Sequence, residues 1–338
     1  MYTVDILENP GKKYKVPIIR IAVAEGAVAD QDWIMPLAKE LGCELVFGPI
    51  NTVDQFVNTT AGCDGLIVSL HQITSEQLAR KPESLRALGR AGVGLDSIDL
   101  PACESHKVSV IFQPVYALEE VANHALSMIL ALHRGLFSAD KMVRDFTWGP
   151  ALKVAEITSL QDATVGVIGC GRIGQNVIRK LQPFVKQVLG YDVNIQGPID
   201  GVTMVDSLDE LLTRSKIVTL HTPLLPSTRH MIDAEALAKM PKGAILVNVS
   251  RGGLVDEKAL GLALESGHIS AAGLDVFETE PLGEDSALRQ VRNLILSPHI
   301  AWYSKSSGPR LGQWTLIDLF LHLSSNPIKN GAFATGPF

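Results

Sequence analysis

No stretch of this 338-residue sequence is apolar for long enough to cross a membrane. The longest run, around Ala125–Leu132, falls far short of the ~20 residues a spanning helix needs and is broken by Ser127. Cysteine is scarce: Cys43, Cys63, Cys103 and Cys170 form no CxxC pair and no framework spacing, so a disulfide scaffold is excluded and no metal site is expected. They read as reduced thiols in a cytoplasmic protein. Positive charge is not in excess either. A net charge of −6 with dispersed lysines and arginines argues against a nucleic-acid surface. The opening "MYTVDILENPGKKYK" lacks the basic-then-apolar order of a secretory signal, and no low-complexity tract interrupts the chain.

What remains is a soluble globular composition, in a chain too long for one typical core. Short apolar runs alternate with helical patterns almost throughout, which predicts βαβ units and largely parallel sheets. The first series runs "IIRIAVA", a helix over Asp32–Leu41, "CELVFG", "CDGLIVS", "SLRALGRAG" and "VSVIFQ". "VYALEEVANHALSMILALH" reads as a long apolar helix crossing between lobes. A second series follows: "ATVGVIG", "RIGQNVIRKL", "QVLGYD", "SLDELLTRS", "KIVTLH", "AEALAKM", "AILVNVS", "DEKALGLALES", "ISAAGLDVF" and "NLILSPH". The closing helix "RLGQWTLIDLFLHL" leaves too little chain for a domain of its own and is expected to fold back onto the first lobe. The expected division is a discontinuous domain, 1–115 plus 303–338, with a second domain, 116–302, inserted.

"GCGRIG", from Gly169 to Gly174, is a weak signal alone, but it follows a buried strand and opens a helix. Asp192 ends the next strand 18 residues after Gly174. That context is a dinucleotide fingerprint: a tight glycine turn, close backbone approach, and a pyrophosphate on the helix N-terminus. Asp192 would accept hydrogen bonds from the ribose hydroxyls and repel a 2′-phosphate, and no cation follows it in "YDVNIQG", so NAD is expected over NADP.

Three chemically capable residues follow, each beyond the carboxyl end of a different strand: Arg251 in "NVSRGG", Glu280 in "GLDVFETEP" and His299 in "SPHIAWYS". Singly each has an ordinary explanation, as a surface ion pair, a loop charge and a core histidine. Together, downstream of a dinucleotide fingerprint, they point to one chemical site. A guanidinium grips a carboxylate in a fork, an imidazolium donates a proton near neutral pH as hydride arrives, and a neighbouring carboxylate favours its charged form.

"GRAGVGLDSID", "VGVIGCGRIGQNV", "NVSRGGLVDEKAL", "GLDVFETEP" and "SPHIAWYS" resemble, in order, the motif series of the D-2-hydroxyacid dehydrogenase family. "AWYS" is similar in particular to its C-terminal-binding-protein branch, whose animal members are NAD-sensing corepressors. The resemblance implies two doubly wound parallel-sheet α/β domains, a flavodoxin-like substrate domain and a Rossmann NAD domain, with the active site between them. It implies that Arg251 binds the substrate carboxylate, His299 is the acid/base and Glu280 its partner. Val93, Gly169, Gly171, Arg172, Ile173, Gly174, Asp192, His221, Thr222, Pro223, Val249, Ser250 and Asp275 are expected at the cofactor, Asp275 on the nicotinamide carboxamide. His71, Val93, Gly94, Arg251 and Trp302 are expected at the substrate. The implied function is an NAD-dependent dehydrogenase of a small 2-keto/D-2-hydroxy acid, homodimeric, with no nucleic acid or membrane partner. The alternative is a corepressor-like NAD(H) sensor with residual dehydrogenase activity.

Overall fold

The computed structural model describes residues 18–146, 148, 158–195 and 197–338. The N-terminal stretch 1–15 read for a signal lies outside the described residues. In chain order the strands are β1 (Arg20–Ala24), β2 (Glu44–Gly48), β3 (Gly65–Val68), β4 (Ala87–Arg90), β5 (Ser109–Phe112), β6 (Thr164–Ile168), β7 (Gln187–Tyr191), β8 (Thr203–Met204), β9 (Ile217–Leu220), β10 (Ala244–Asn248), β11 (Ile269–Leu274), β12 (Leu294–Leu296) and β13 (Ala332–Thr335). They divide between two compact units. One comprises the described residues up to Tyr116 together with Tyr303–Phe338; the other is Ala117–Trp302.

The first unit has a six-stranded sheet ordered β13-β5-β4-β3-β1-β2, parallel except for β13, which runs antiparallel to β5. β3 and β4 are buried along their whole length, as strands covered on both faces must be. Helices Val53–Thr60 and Ser75–Ala79 both open with a capping box, Thr52 with Gln55 and Thr74 with Gln77. The helix Ser307–Leu323 lies so close on the sheet that a Cβ at Gly65 or Gly89 would meet side chains of Thr315, Leu319 or Leu323 at 2.9–3.1 Å. Its Asp318, fully buried, collects the N–H groups of Lys329, Asn330 and Gly331 just ahead of β13. The chain thus returns through a short loop pinned by that carboxylate into one antiparallel edge strand of an otherwise parallel sheet.

The second unit has a seven-stranded parallel sheet ordered β12-β11-β10-β9-β6-β7-β8. Order reverses between β6 and β9, the switch point where ligands bind beyond the strand ends. Leu211, Leu237 and Leu260 fill one face, and Met128, Ile129, Val177 and Leu181 fill the other. Full burial of each such side chain contributes roughly 1.5–3 kcal/mol. The helix expected to cross between lobes spans Leu118–His133 and is a packed member of this unit, burying Ala122, Ala125, Met128 and Ile129. Among the described residues no helix is long and apolar enough to cross a membrane.

Candidate active site

β6 delivers the chain into the glycine turn, and each glycine has its own physical reason. Gly169 has φ +89°, and a Cβ there would sit 2.6 Å from the carbonyl of His221. At Gly174 a Cβ would lie 2.0 Å from the Gly169 oxygen, so helix Arg172–Leu181 can approach its strand only without one. Gly171 is the opposite case: a Cβ would meet nothing within 4 Å, so the backbone faces open space. Helices Leu208–Arg214, Ala234–Lys239 and Glu257–Glu265 start with Ser207, Asp233 and Asp256 accepting a backbone N–H. The helix after Gly171 has no side-chain cap. Its first N–H groups, from Arg172, Ile173 and Gly174, are left for an anion. Open approach and an uncapped helix start fit a pyrophosphate.

Asp192, after β7, turns its carboxylate onto the same loop. One oxygen accepts the Cys170 N–H at 2.8 Å, and the other accepts those of Asn194 and Ile195 at 2.8 and 3.2 Å. Burial pushes the Cys170 thiol up to about 12, with the charge of Asp192 adding to it, so this cysteine is a filler. His221, at the end of β9, is bonded through Nε2 to Thr219 Oγ1 at 3.0 Å, while its Nδ1 is sealed without a partner. Burial holds its pKa down to about 3, so the ring is neutral and structural. Thr222, half-buried, and Pro223, exposed, continue from it, Val249 is buried, and Ser250 Oγ donates to the Leu220 carbonyl at 2.8 Å.

Arg251 is presented by a turn that Asn248 builds. The fully buried Asn248 carboxamide donates to the Arg251 carbonyl at 2.7 Å and accepts the Ser250 N–H at 3.0 Å. The next residue, Gly252, lies against the segment that carries Glu280: a Cβ there would come within 1.8 Å of the Phe277 carbonyl carbon. Glu280 Oε2 meets His299 Nδ1 at 2.7 Å, and Oε1 accepts the Phe277 N–H at 3.0 Å. Burial alone would raise the Glu280 pKa. The His299 hydrogen bond and charge, the Phe277 N–H and the Arg251 charge together outweigh it and hold the carboxyl below its ordinary range. His299 itself is in the left-handed region, φ +55°.

Asp275, expected on the nicotinamide carboxamide, has no exposed surface. It accepts the Ser297 hydroxyl at 2.5 Å and the N–H groups of Ile300 and Ala301 at 3.0 and 2.8 Å, holding the loop that carries His299. Trp302 also serves this loop, its indole N–H donating to the His299 carbonyl at 2.9 Å. Sequence reasoning missed Asn248, Ser297 and His124, which contacts Ser297. A polar residue ending an apolar strand was the available signal for Asn248.

The second unit thus brings Arg251, Glu280 and His299 together and places the glycine turn with Asp192. His71, Val93 and Gly94 belong to the first unit. His71 Nε2 lies 2.9 Å from the Glu25 carbonyl, Gly94 accepts from Arg90 Nε at 2.8 Å, and Val93 is exposed.

The 3-2-1-4-5-6-7 order of the second sheet, with an open glycine turn at its switch point, defines a dinucleotide-binding domain of the kind oxidoreductases use. The sequence model of the D-isomer specific 2-hydroxyacid dehydrogenase NAD binding domain matches residues 126–301. An (S)-sulfolactate dehydrogenase of Chromohalobacter salexigens is 37% identical over 302 residues, 87% of this chain and 93% of that protein. A D-3-phosphoglycerate dehydrogenase of Mycobacterium bovis is 38% identical over 263 residues, 77% of this chain; the chain spans about half of that relative, 49%. The crystal structure of D-lactate dehydrogenase with NAD+ from Lactobacillus jensenii matches with a TM-score of 0.75 at 29% identity, covering 93% of this chain and 99% of that one. This chain belongs to the D-isomer specific 2-hydroxyacid dehydrogenase family.

Proposed function

We propose that the protein is an NAD-dependent oxidoreductase acting on a small 2-keto/D-2-hydroxy acid. The observation that carries this reading is the 2.7 Å contact between His299 and an ionised Glu280, within reach of the Arg251 charge. The nicotinamide, when bound, supplies the hydride for reduction or accepts it in oxidation. Arg251 binds the substrate carboxylate and draws electron density from the carbonyl. His299 gives its proton to the carbonyl oxygen as the hydride arrives and takes it back in the reverse direction. Glu280 fixes the imidazole orientation through the 2.7 Å contact with Nδ1.

His71, the backbone at Val93 and Gly94, and the ring of Trp302 are the proposed substrate contacts. The glycine turn, Asp192, Thr222, Pro223, Val249 and Ser250 are the proposed cofactor contacts, joined by the Val93 backbone. Arg251, Glu280 and His299 all in place favour catalysis over a corepressor-like role. The buried, unpaired thiols of Cys63, Cys103 and Cys170 support a reducing, cytoplasmic setting. Leu136, Phe137, Val143, Phe146 and Trp148 form a run of exposed apolar side chains, which supports a homodimer paired through the second unit. Light scattering showing a monomer would remove that pairing.

The test of function is NADH oxidation against a panel of 2-keto acids differing in side-chain size and charge, sulfonated and phosphorylated ones included, with NADPH as the alternative reductant. Turnover of at least one keto acid with NADH supports the reading. No turnover across the panel, or equal use of NADPH, contradicts it.

A further inference from the structure

His299 sits in a backbone conformation that L residues rarely adopt, and such a residue keeps its place only when its surroundings over-determine it. The hold comes from the buried Asp275 carboxylate, which takes the two N–H groups immediately after His299. Asp275 in turn depends on a group that neither the proposed chemistry nor the cofactor site uses. Ser297 has one hydroxyl hydrogen, and its 2.5 Å contact with Asp275 Oδ1 assigns that hydrogen to the carboxylate. The Ser297 oxygen is then an acceptor, and His124 Nε2 stands 3.0 Å from it. The same nitrogen is 3.6 Å from Asp275 Oδ1, in a side chain only 25% exposed. His124 lies on the helix Leu118–His133 beside the buried Ala122 and Ala125, so its ring is carried by the unit's core.

We infer that His124 is a positioning residue for His299: it donates to Ser297, orients that hydroxyl onto Asp275, and so holds the Ile300–Ala301 backbone that fixes the imidazole against Glu280. Removing the ring's N–H leaves the serine oxygen without its donor, so the hydroxyl is no longer oriented onto the enclosed carboxylate. The loop then loses the constraint that keeps His299 left-handed, and the Nδ1 contact with Glu280 loosens. The inference rests on the reading of His299 as the proton donor.

Three variants test it. His124→Phe keeps the ring volume without the N–H. His124→Gln returns an N–H donor near the position of Nε2. Ser297→Ala removes the middle of the relay. His124→Phe and Ser297→Ala should lower kcat for keto-acid reduction by about ten- to a hundredfold, the scale of misplacing a catalytic group. NADH affinity should be unchanged, and KM for the keto acid should move little because Arg251 is untouched. His124→Gln should recover most of the lost kcat. A second readout is independent of turnover: the downfield proton resonance of the His299–Glu280 hydrogen bond, identified by its loss in His299→Ala. It should persist in wild type and His124→Gln and broaden or vanish in His124→Phe. Wild-type kcat and an intact resonance in His124→Phe, or equal losses in Phe and Gln, overturn the inference. If wild type reduces no keto acid, the functional reading fails while the resonance still decides the role of His124.

Discussion

Glu280 divides its two oxygens between His299, whose Nδ1 lies 2.7 Å away, and the Phe277 backbone N–H, so the carboxylate is fixed in orientation before it acts on the imidazole. Its pKa is held below the ordinary carboxylate range despite burial. A carboxylate lowered in this way contributes its charge fully above its ordinary pKa and loses it as pH falls through the lowered value. The Glu280 charge should therefore survive mild acid. Keto-acid reduction by folded enzyme should not fall between neutrality and about pH 5, just above the ordinary glutamate value. In Glu280→Gln, kcat should fall about tenfold or more in that window, within the usual scale of acid–base assistance. A wild-type rate that collapses between pH 7 and about 5 in enzyme still folded by circular dichroism contradicts the pairing.

His221 gives a stability prediction of its own. Its buried ring stays neutral to about pH 3 in the folded chain. The unfolded chain takes up a proton below about 6.5, so this residue's contribution is fully present above that pH and is lost as pH falls toward the folded value. At pH 5 the loss is about 2 kcal/mol from this residue. Replacing it, as in His221→Leu, should flatten the acid slope of unfolding free energy measured in urea, whatever the change in absolute stability. An unchanged slope means that the native ring accepts a proton.

Gly171 separates binding from folding. A methyl group there meets no protein atom within 4 Å, and φ is −69°, a value any residue adopts. Gly171→Ala should therefore melt within a few degrees of wild type, as expected for a change near zero in stability. Its NADH affinity should fall by about tenfold or more, because the methyl group enters the space into which the phosphates must come close. Undiminished NADH binding in Gly171→Ala removes the pyrophosphate from this turn.

Much of the second unit was legible because its inner strands are short, largely buried and mostly apolar runs followed by a polar or glycine signal at the sheet's carboxyl end. The helix Arg172–Leu181 coincides with the stretch read from the sequence for the same reason: a glycine before it and a periodic apolar face within it. β8, with two residues, and β13, with four half-buried ones, carry no such pattern, and their pairing depends on chain segments distant in sequence. The helix Leu136–Arg144 went unread because it buries none of its residues. The site divides along the same line. Arg251, Glu280 and His299 stand out by residue type after strands. Nothing local to Asp275 reveals that its carboxylate takes N–H groups at positions 300 and 301, 25 and 26 residues further on. His124 lies 173 residues from Ser297, and only the fold brings them to 3.0 Å.

The central claim, that His299 carries the proton to a substrate held by Arg251, is tested most directly by His299→Ala assayed for keto-acid reduction alongside direct NADH titration. Keto-acid turnover should drop by at least about two orders of magnitude, the usual scale for a general acid, while the NADH dissociation constant stays at the wild-type value. Arg251→Lys should also be damaging, since an ammonium cannot reproduce the guanidinium fork. Turnover at the wild-type rate in His299→Ala contradicts the account.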